Sequence, residues 1–165
     1  MVNLFNKIYR GKRVLITGHT GFKGSWLSLW LQSLGAEVVG VSLDVPTTPS
    51  LYEQANVSEN MISLREDIRD VMAIRKIFQD HLPEIVFHLA AQPLVRLSYR
   101  EPVETYETNV MGTLHVLEGI RSVDSVCSAV MITTDKCYQN KEWVWGYREN
   151  DPYSSSKGAA ELLIG

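Results

Sequence analysis

The sequence predicts an α/β fold: a doubly wound, mostly parallel sheet with helices on both faces. Three observations predict it. Short β-branched runs alternate with longer segments of helical period along the chain. The strand runs are nearly continuous in apolar residues, the pattern of strands buried on both faces. Strand–helix alternation with right-handed crossovers closes as such a sheet.

The elements follow in order. Leu4, Phe5 and Ile8 suggest one helical turn lying on the domain. Residues 13–17 read as the first strand. Residues 22–34 read as a helix with Phe22, Trp26, Leu29, Trp30 and Leu34 on its inner side, ended by Gly35. Residues 37–43 form a second strand, and Pro46 and Pro49 then force a loop. Residues 61–64 are a short third strand. Residues 70–82 are a helix with Val71, Ile74, Ile77 and Phe78 as its core face, broken by Pro83. Residues 85–90 are a fourth strand. A long helix covers 102–122, with Pro in its first turn. Val103, Tyr106, Val110 and Leu117 line one side of it, and Met111 and Ile120 widen the apolar surface. That surface fits pairing between subunits, or equally a helix buried within one subunit. Residues 126–133 are a fifth strand, and a last helix starts near Tyr153.

A chain of 165 residues suits one domain with a real core. Hydrophobic residues make up 45% and charged residues 21%, ordinary for a globular protein. The net charge of −3, with no run of Lys and Arg, disfavours nucleic acid or an anionic membrane as partner. Cys127 and Cys137 lack metal-ligand spacing, so free thiols are expected and no metal site is read. No apolar stretch approaches the ~20 residues that span a bilayer, and residues 1–13, which lack a continuous apolar run, are not expected to be a signal peptide. A cytoplasmic protein is expected.

The first strand runs into Gly18-His19-Thr20-Gly21-Phe22-Lys23-Gly24. Gly18 permits the sharp turn, Gly21 lets backbone approach a pyrophosphate, and Gly24 lets the helix sit on the strand. The helix N-terminus offers free N–H groups and partial positive charge to phosphates. The context of strand, loop and helix marks a Rossmann dinucleotide site. Asp44 closes the second strand about twenty positions past Gly24. It reads as the acceptor for the adenosine ribose hydroxyls, or as a solvated acid opening a turn. No Arg follows it at Val45, so NAD is preferred to NADP.

The fifth strand ends in Thr133-Thr134-Asp135-Lys136, on the side of the sheet where ligands bind. Tyr153 and Lys157 stand four apart on the last helix and so share a face. An ammonium beside a phenol favours the phenolate and makes a base near neutral pH.

These features resemble the extended short-chain dehydrogenase/reductase family, together with Leu89-Ala90-Ala91-Gln92 and Asn109. A closer resemblance is to its CDP-D-glucose 4,6-dehydratases. It rests on residues 18–27, 91–96, Ser98-Tyr99, Thr134-Asp135-Lys136-Cys137-Tyr138 and 143–150. The resemblance implies a nucleotide-sugar substrate, transient oxidation at C4 with bound NAD, loss of water from C5 and C6, and a role in deoxysugar and lipopolysaccharide O-antigen precursor biosynthesis. It implies that Tyr153, helped by Lys157, removes the C4 hydroxyl proton, and that Thr134 binds the same oxygen. It implies that Asp135 protonates the departing C6 hydroxyl. Around the dinucleotide it implies Gly18, Thr20, Gly21, Phe22, Gly24, Asp44, Asp67, Ile68, Leu89, Ala90, Ala91, Asn109, Thr133, Tyr153 and Lys157. A homo-oligomer is expected of the longer enzyme.

The chain departs from the family at three places. Lys136 stands where related dTDP-glucose dehydratases carry a Glu that acts as the C5 base. Lys136 is then either that base with a lowered pKa or a partner that orients Asp135. Either the loop before Tyr153 is shorter than in relatives, or residues are missing between Asn150 and Asp151. The chain also stops where relatives continue into a substrate domain, so residues 1–165 are expected to be an incomplete NAD-binding domain with weak or no activity alone. Two other readings stand beside this one. The first is another sugar-nucleotide dehydratase or a 4-epimerase. The second is a non-catalytic NAD-binding module.

Overall fold

A computed structural model describes residues 4–138 and 151–165. Five parallel strands form one sheet in the order β3-β2-β1-β4-β5. They are β1 (Arg13–Thr17), β2 (Glu37–Ser42), β3 (Ile62–Arg65), β4 (Ile85–His88) and β5 (Ser128–Met131). β1 lies between β2 and β4, with Thr17 opposite Val41 on one side and His88 on the other. The strand order reverses direction at β1, the switch point where open α/β sheets bind ligands. The predicted Rossmann architecture is present.

Alternate residues of the strands feed two cores. Val14, Ile16, Val38 and Ile85 meet Leu31 of α1 (Phe22–Ser33). Leu15, Val39, Val41 and Val86 meet Ile74, Ile77 and Phe78 of α3 (Val71–His81) and Val116. Each fully buried side chain of this size contributes about 1.5–3 kcal/mol. Asp70 caps α3 by accepting from the Met72 and Ala73 N–H groups at 2.9 and 3.0 Å. Phe78 packs so closely under Gly119 that an added Cβ there would meet Cδ2 at 2.4 Å. β5 departs from the doubly buried pattern. It lies at the edge of the sheet, and Ser128, Ala129 and Val130 are exposed.

Further expectations are corrected. The inner side of α1 is not the aromatic one. Gly24, Ser25, Ser28 and Leu31 are buried, whereas Phe22, Trp26 and Trp30 are 71%, 55% and 48% exposed. Small residues face the sheet because the helix lies almost on β1: a Cβ at Gly24 would stand 2.0 Å from the Gly18 carbonyl oxygen. The N-terminal turn at Leu4–Lys7 is not right-handed: Phe5 and Asn6 have φ of 51° and 50°. The Phe5 ring meets Trp30 edge-on at 5.5 Å.

The segment read as one long helix contains α5 (Pro102–Tyr106), a π-helical turn at Glu107–Met111, and α6 (Gly112–Arg121). Its buried residues are Thr105, Asn109, Gly112, Thr113, Val116 and Gly119. Val103, Tyr106 and Met111 face outward. Short helices α2 (Leu51–Gln54) and α4 (Val95–Arg100) were not anticipated. The last helix, α7 (Pro152–Ile164), is capped by Asp151, which accepts from the Ser154 N–H at 2.9 Å. No described helix is long and apolar enough to cross a membrane.

Candidate dinucleotide site

The glycine loop sits at the carboxyl end of β1. Gly18 takes φ +82°, and a Cβ there would stand 2.8 Å from the Ala90 nitrogen. Any other residue would be strained and would push the loop from β4. Gly24 is barred a side chain by the Gly18 carbonyl. Gly21 differs: a Cβ there meets only the Gly18 oxygen, at 3.4 Å. The protein itself leaves space beside Gly21, as a bound pyrophosphate requires. Gly21 is also the N-cap of α1, with no capping side chain, so first-turn N–H groups face that space. Thr20 is buried and bridges to β2 through Ser42 Oγ at 2.7 Å and the Leu43 carbonyl at 3.2 Å.

At the ends of β2 and β3, Asp44 is exposed and its carboxylate stands 3.4 Å from Arg65 Nε. The sequence reading missed Arg65, because it arrives from the neighbouring strand: Ser42 pairs with Arg65. Asp67 accepts from the Arg69 backbone and guanidinium at 2.6–2.8 Å. Burial pushes its carboxyl up, but those bonds pull it below the usual range. Ile68 is buried against Gly112, and its carbonyl lies 3.0 Å from His115 Nδ1. His19 is wholly buried, and desolvation, with a smaller contribution from Arg65, lowers it to about 4.

A polar chain runs from β1 to α7. The Thr17 hydroxyl oxygen accepts from the Leu89 and Ala90 N–H groups at 3.2 and 3.1 Å. With its lone pairs so used, it donates to His88 Nδ1 at 2.7 Å. His88 Nε2 lies 3.0 Å from the Thr113 hydroxyl, which itself donates to the Asn109 carbonyl. His88 is therefore the neutral Nε2–H tautomer, and burial, then Lys157, holds it at about 3. The π turn brings the Asn109 side chain inward. Its Oδ1 accepts from Gln92 N–H at 2.8 Å, and its amide donates to the Gln92 carbonyl and to Ser156 Oγ at 2.9 Å. Asn109 so ties the Ala91-Gln92 loop to the Tyr153 helix.

On α7, Tyr153 and Lys157 are both buried. The Tyr153 backbone N–H donates to Ser98 Oγ at 3.1 Å. The Lys157 ammonium donates to the Ile132 carbonyl at 3.2 Å, and burial lowers its pKa. Past β5, Thr133 is half-buried. Thr134 caps a 3-10 turn at Asp135–Cys137 and accepts from the Lys136 N–H at 3.3 Å. Asp135 and Lys136 are exposed, and no ion pair joins them among the described residues. The Cys137 thiol donates to the Thr134 carbonyl and to Glu161, and is pushed up to about 11 by burial and then Glu161. Residues 143–150 and the junction at Asn150 lie outside the described residues. The structure thus gathers the glycine loop, the loop after β4, Asn109 and Lys157 around the switch point. Ser98, Ser156 and Thr17 join them, and a lone Ser or Thr carries no sequence signal for such a role.

The GDP-mannose 4,6-dehydratase family profile matches residues 15–164. The CDP-glucose 4,6-dehydratase of Salmonella typhimurium is 59% identical over 94% of this chain and 45% of its own length. A probable dTDP-glucose 4,6-dehydratase of Sinorhizobium fredii is 34% identical over 90% of this chain and 47% of its own. Among solved structures, the UDP-glucose 4-epimerase of Thermus thermophilus in complex with NAD superimposes with a TM-score of 0.79. It is 30% identical, over 92% of this chain and 49% of that one. The chain spans about half the length of the curated relatives it matches. With the profile covering nearly all of it, the chain belongs to the GDP-mannose 4,6-dehydratase family.

Proposed function

We propose that this chain is the dinucleotide-binding half of an NAD-dependent sugar-nucleotide 4,6-dehydratase, a lyase acting on CDP-D-glucose. The product is CDP-4-keto-6-deoxy-D-glucose, a deoxysugar precursor of the kind used in lipopolysaccharide. The carrying observation is the 59% identity to the Salmonella typhimurium enzyme. The open space beside Gly21 and the uncapped start of α1 fit a dinucleotide pyrophosphate.

When bound, the nicotinamide would supply a two-electron carrier, taking a hydride from the sugar's C4 and giving it to C6 once water has left, so that no external reductant is consumed. The chain's own residues do the rest. Gly18, Thr20, Gly21, Phe22 and Gly24 hold the pyrophosphate turn. Asp44 takes the adenosine ribose, and Asp67 with Ile68 borders the adenine. Leu89, Ala90, Ala91, Asn109 and Thr133 shape the cleft. Tyr153 accepts the C4 hydroxyl proton. Lys157 favours its phenolate and holds the second ribose. Thr134 binds the C4 oxygen. Asp135 gives a proton to the departing C6 hydroxyl. Lys136 takes the C5 proton or orients Asp135; both side chains are exposed.

A 4-epimerase is the second reading, favoured by the solved relatives. An epimerase has no use for an acid and a base at C5 and C6, and the Thr134-Asp135-Lys136 end of β5 supports elimination. The outward apolar face of Val103, Tyr106, Val110 and Met111 supports pairing of two copies. The test incubates the protein with NAD and with CDP-, dTDP-, GDP- or UDP-glucose. The alkaline absorbance of a 4-keto-6-deoxy sugar is then read. CDP-glucose is the expected responder once the chain is joined to the remaining half of a relative. The 165-residue chain alone is expected to turn over weakly or not at all. A response to UDP-glucose by 4-epimerisation, without that absorbance, would overturn the dehydratase reading.

A further inference from the structure

NAD was preferred to NADP because Asp44 closes the second strand and no Arg follows it in sequence. The fold supplies one. Arg65 ends β3 beside Ser42 of β2, and its Nε stands 3.4 Å from the Asp44 carboxylate. The two partners are held very differently. The Asp44 side chain is 95% exposed. Arg65 is posted: its Cζ lies 4.9 Å from the centroid of the Tyr52 ring. Its terminal nitrogen donates to Ser63 Oγ at 3.3 Å and stands 3.3 Å from His19 Nε2. Tyr52 is buried and shares Ser63, with oxygens 2.7 Å apart. His19 belongs to the glycine loop, so one guanidinium bridges that loop to the acid at the end of β2.

The chemistry of the pair follows from its charges. A carboxylate at the end of β2 accepts from ribose hydroxyls and repels a 2′-phosphate. A guanidinium beside it cancels much of that repulsion. It also offers a planar fork of N–H donors suited to phosphate. A dianionic phosphate competes well for that fork against one mobile, solvated carboxylate. We propose that Arg65 is a second determinant of dinucleotide choice. With Asp44 in place it softens the exclusion of a 2′-phosphate, and with Asp44 neutralised it becomes that phosphate's ligand. The inference rests on the reading that the adenosine ribose lies at Asp44.

The experiment is titration calorimetry of NAD and of NADP into the 165-residue chain. The proteins are the wild type, Asp44→Ser, Arg65→Leu, Arg65→Lys and the Asp44→Ser/Arg65→Leu pair, each checked for folding by circular dichroism. Asp44→Ser is expected to shift the NADP-to-NAD affinity ratio toward NADP by about tenfold or more, the scale of a charged hydrogen bond. Adding Arg65→Leu is expected to erase that shift. Arg65→Leu alone is expected to widen the preference for NAD, and Arg65→Lys to fall between. The contribution should shrink as salt rises, since the pair is exposed. NAD binding with a ratio that ignores residue 65 in both backgrounds would overturn this inference alone. Absence of NAD binding by the wild type would instead remove the dinucleotide reading, and this inference with it.

Discussion

The buried Lys157 ammonium donates to the Ile132 carbonyl, one residue past the end of β5. That contact holds α7 against the strand end on which Thr133 and Thr134 follow. It also leaves a charge with little solvent, and burial lowers the Lys157 pKa. A buried ammonium carries a desolvation cost, and an apolar chain of similar length removes that cost together with one hydrogen bond. Lys157→Met is therefore expected to leave the thermal midpoint unchanged or higher while NAD affinity drops about tenfold. A lower midpoint with unchanged NAD affinity would make Lys157 a structural residue only.

Gly21 and Gly24 are expected to separate function from folding. A methyl at Gly24 collides with the Gly18 carbonyl, which is backbone and has nowhere to go. Gly24→Ala is expected to cost about 1–3 kcal/mol, the scale of overpacking, and to lower the denaturation midpoint. A methyl at Gly21 meets the same oxygen at 3.4 Å. Gly21→Ala is expected to fold with near wild-type stability and to bind NAD poorly. Urea melts paired with titrations read both, and equal stability losses would contradict the assignment of Gly21 to a ligand.

Acid sensitivity should trace to His88. Burial holds it at about 3, below its ordinary 6.5. Between those values the unfolded chain binds a proton that the folded chain refuses. Stability therefore rises with pH across that window and is lost as pH falls from 6.5 toward 3. His19, at about 4, acts in the same direction. His88→Asn breaks the bridge from Thr17 to Thr113 and should cost about 1–3 kcal/mol near neutrality. Its stability should then fall less steeply in acid than the wild type's. Thermal melts at several pH values give both slopes, and parallel slopes would exclude His88 as the acid-labile group.

Much of this was legible in the sequence, and the failures have physical causes. Continuous apolar strands and the spacing of Gly18, Gly21 and Gly24 pointed to the sheet and to the turn at β1. The face of α1 was misread because apolar periodicity was taken as the guide to burial. Where a helix lies almost on a strand, Gly24, Ser25 and Ser28 must face inward, and Trp26 and Trp30 are turned out. The π turn was invisible because periodicity assumes a regular helix; the shift at Glu107–Met111 selects Asn109 and Thr113 for the interior. Arg65 was missed because only the pairing of β2 with β3 brings it to Asp44.

The outward face of α5 and the π turn carries its own expectation. Pro102, Val103, Tyr106, Val110 and Met111, with Glu107, line a largely apolar groove that the polar Thr105 and Asn109 side does not share. If copies pair there, Val103→Glu with Met111→Glu should shift sedimentation toward the monomer and leave circular dichroism unchanged. An unaltered sedimentation profile in a protein that self-associates would place the contact elsewhere.

The most direct measurement titrates NAD into the 165-residue chain and into Gly21→Val. Saturable heat at one site per wild-type chain, lost or strongly weakened in the folded variant, is the predicted result. No heat from the wild type, or equal binding by both proteins, would contradict a dinucleotide seated on the opening turn.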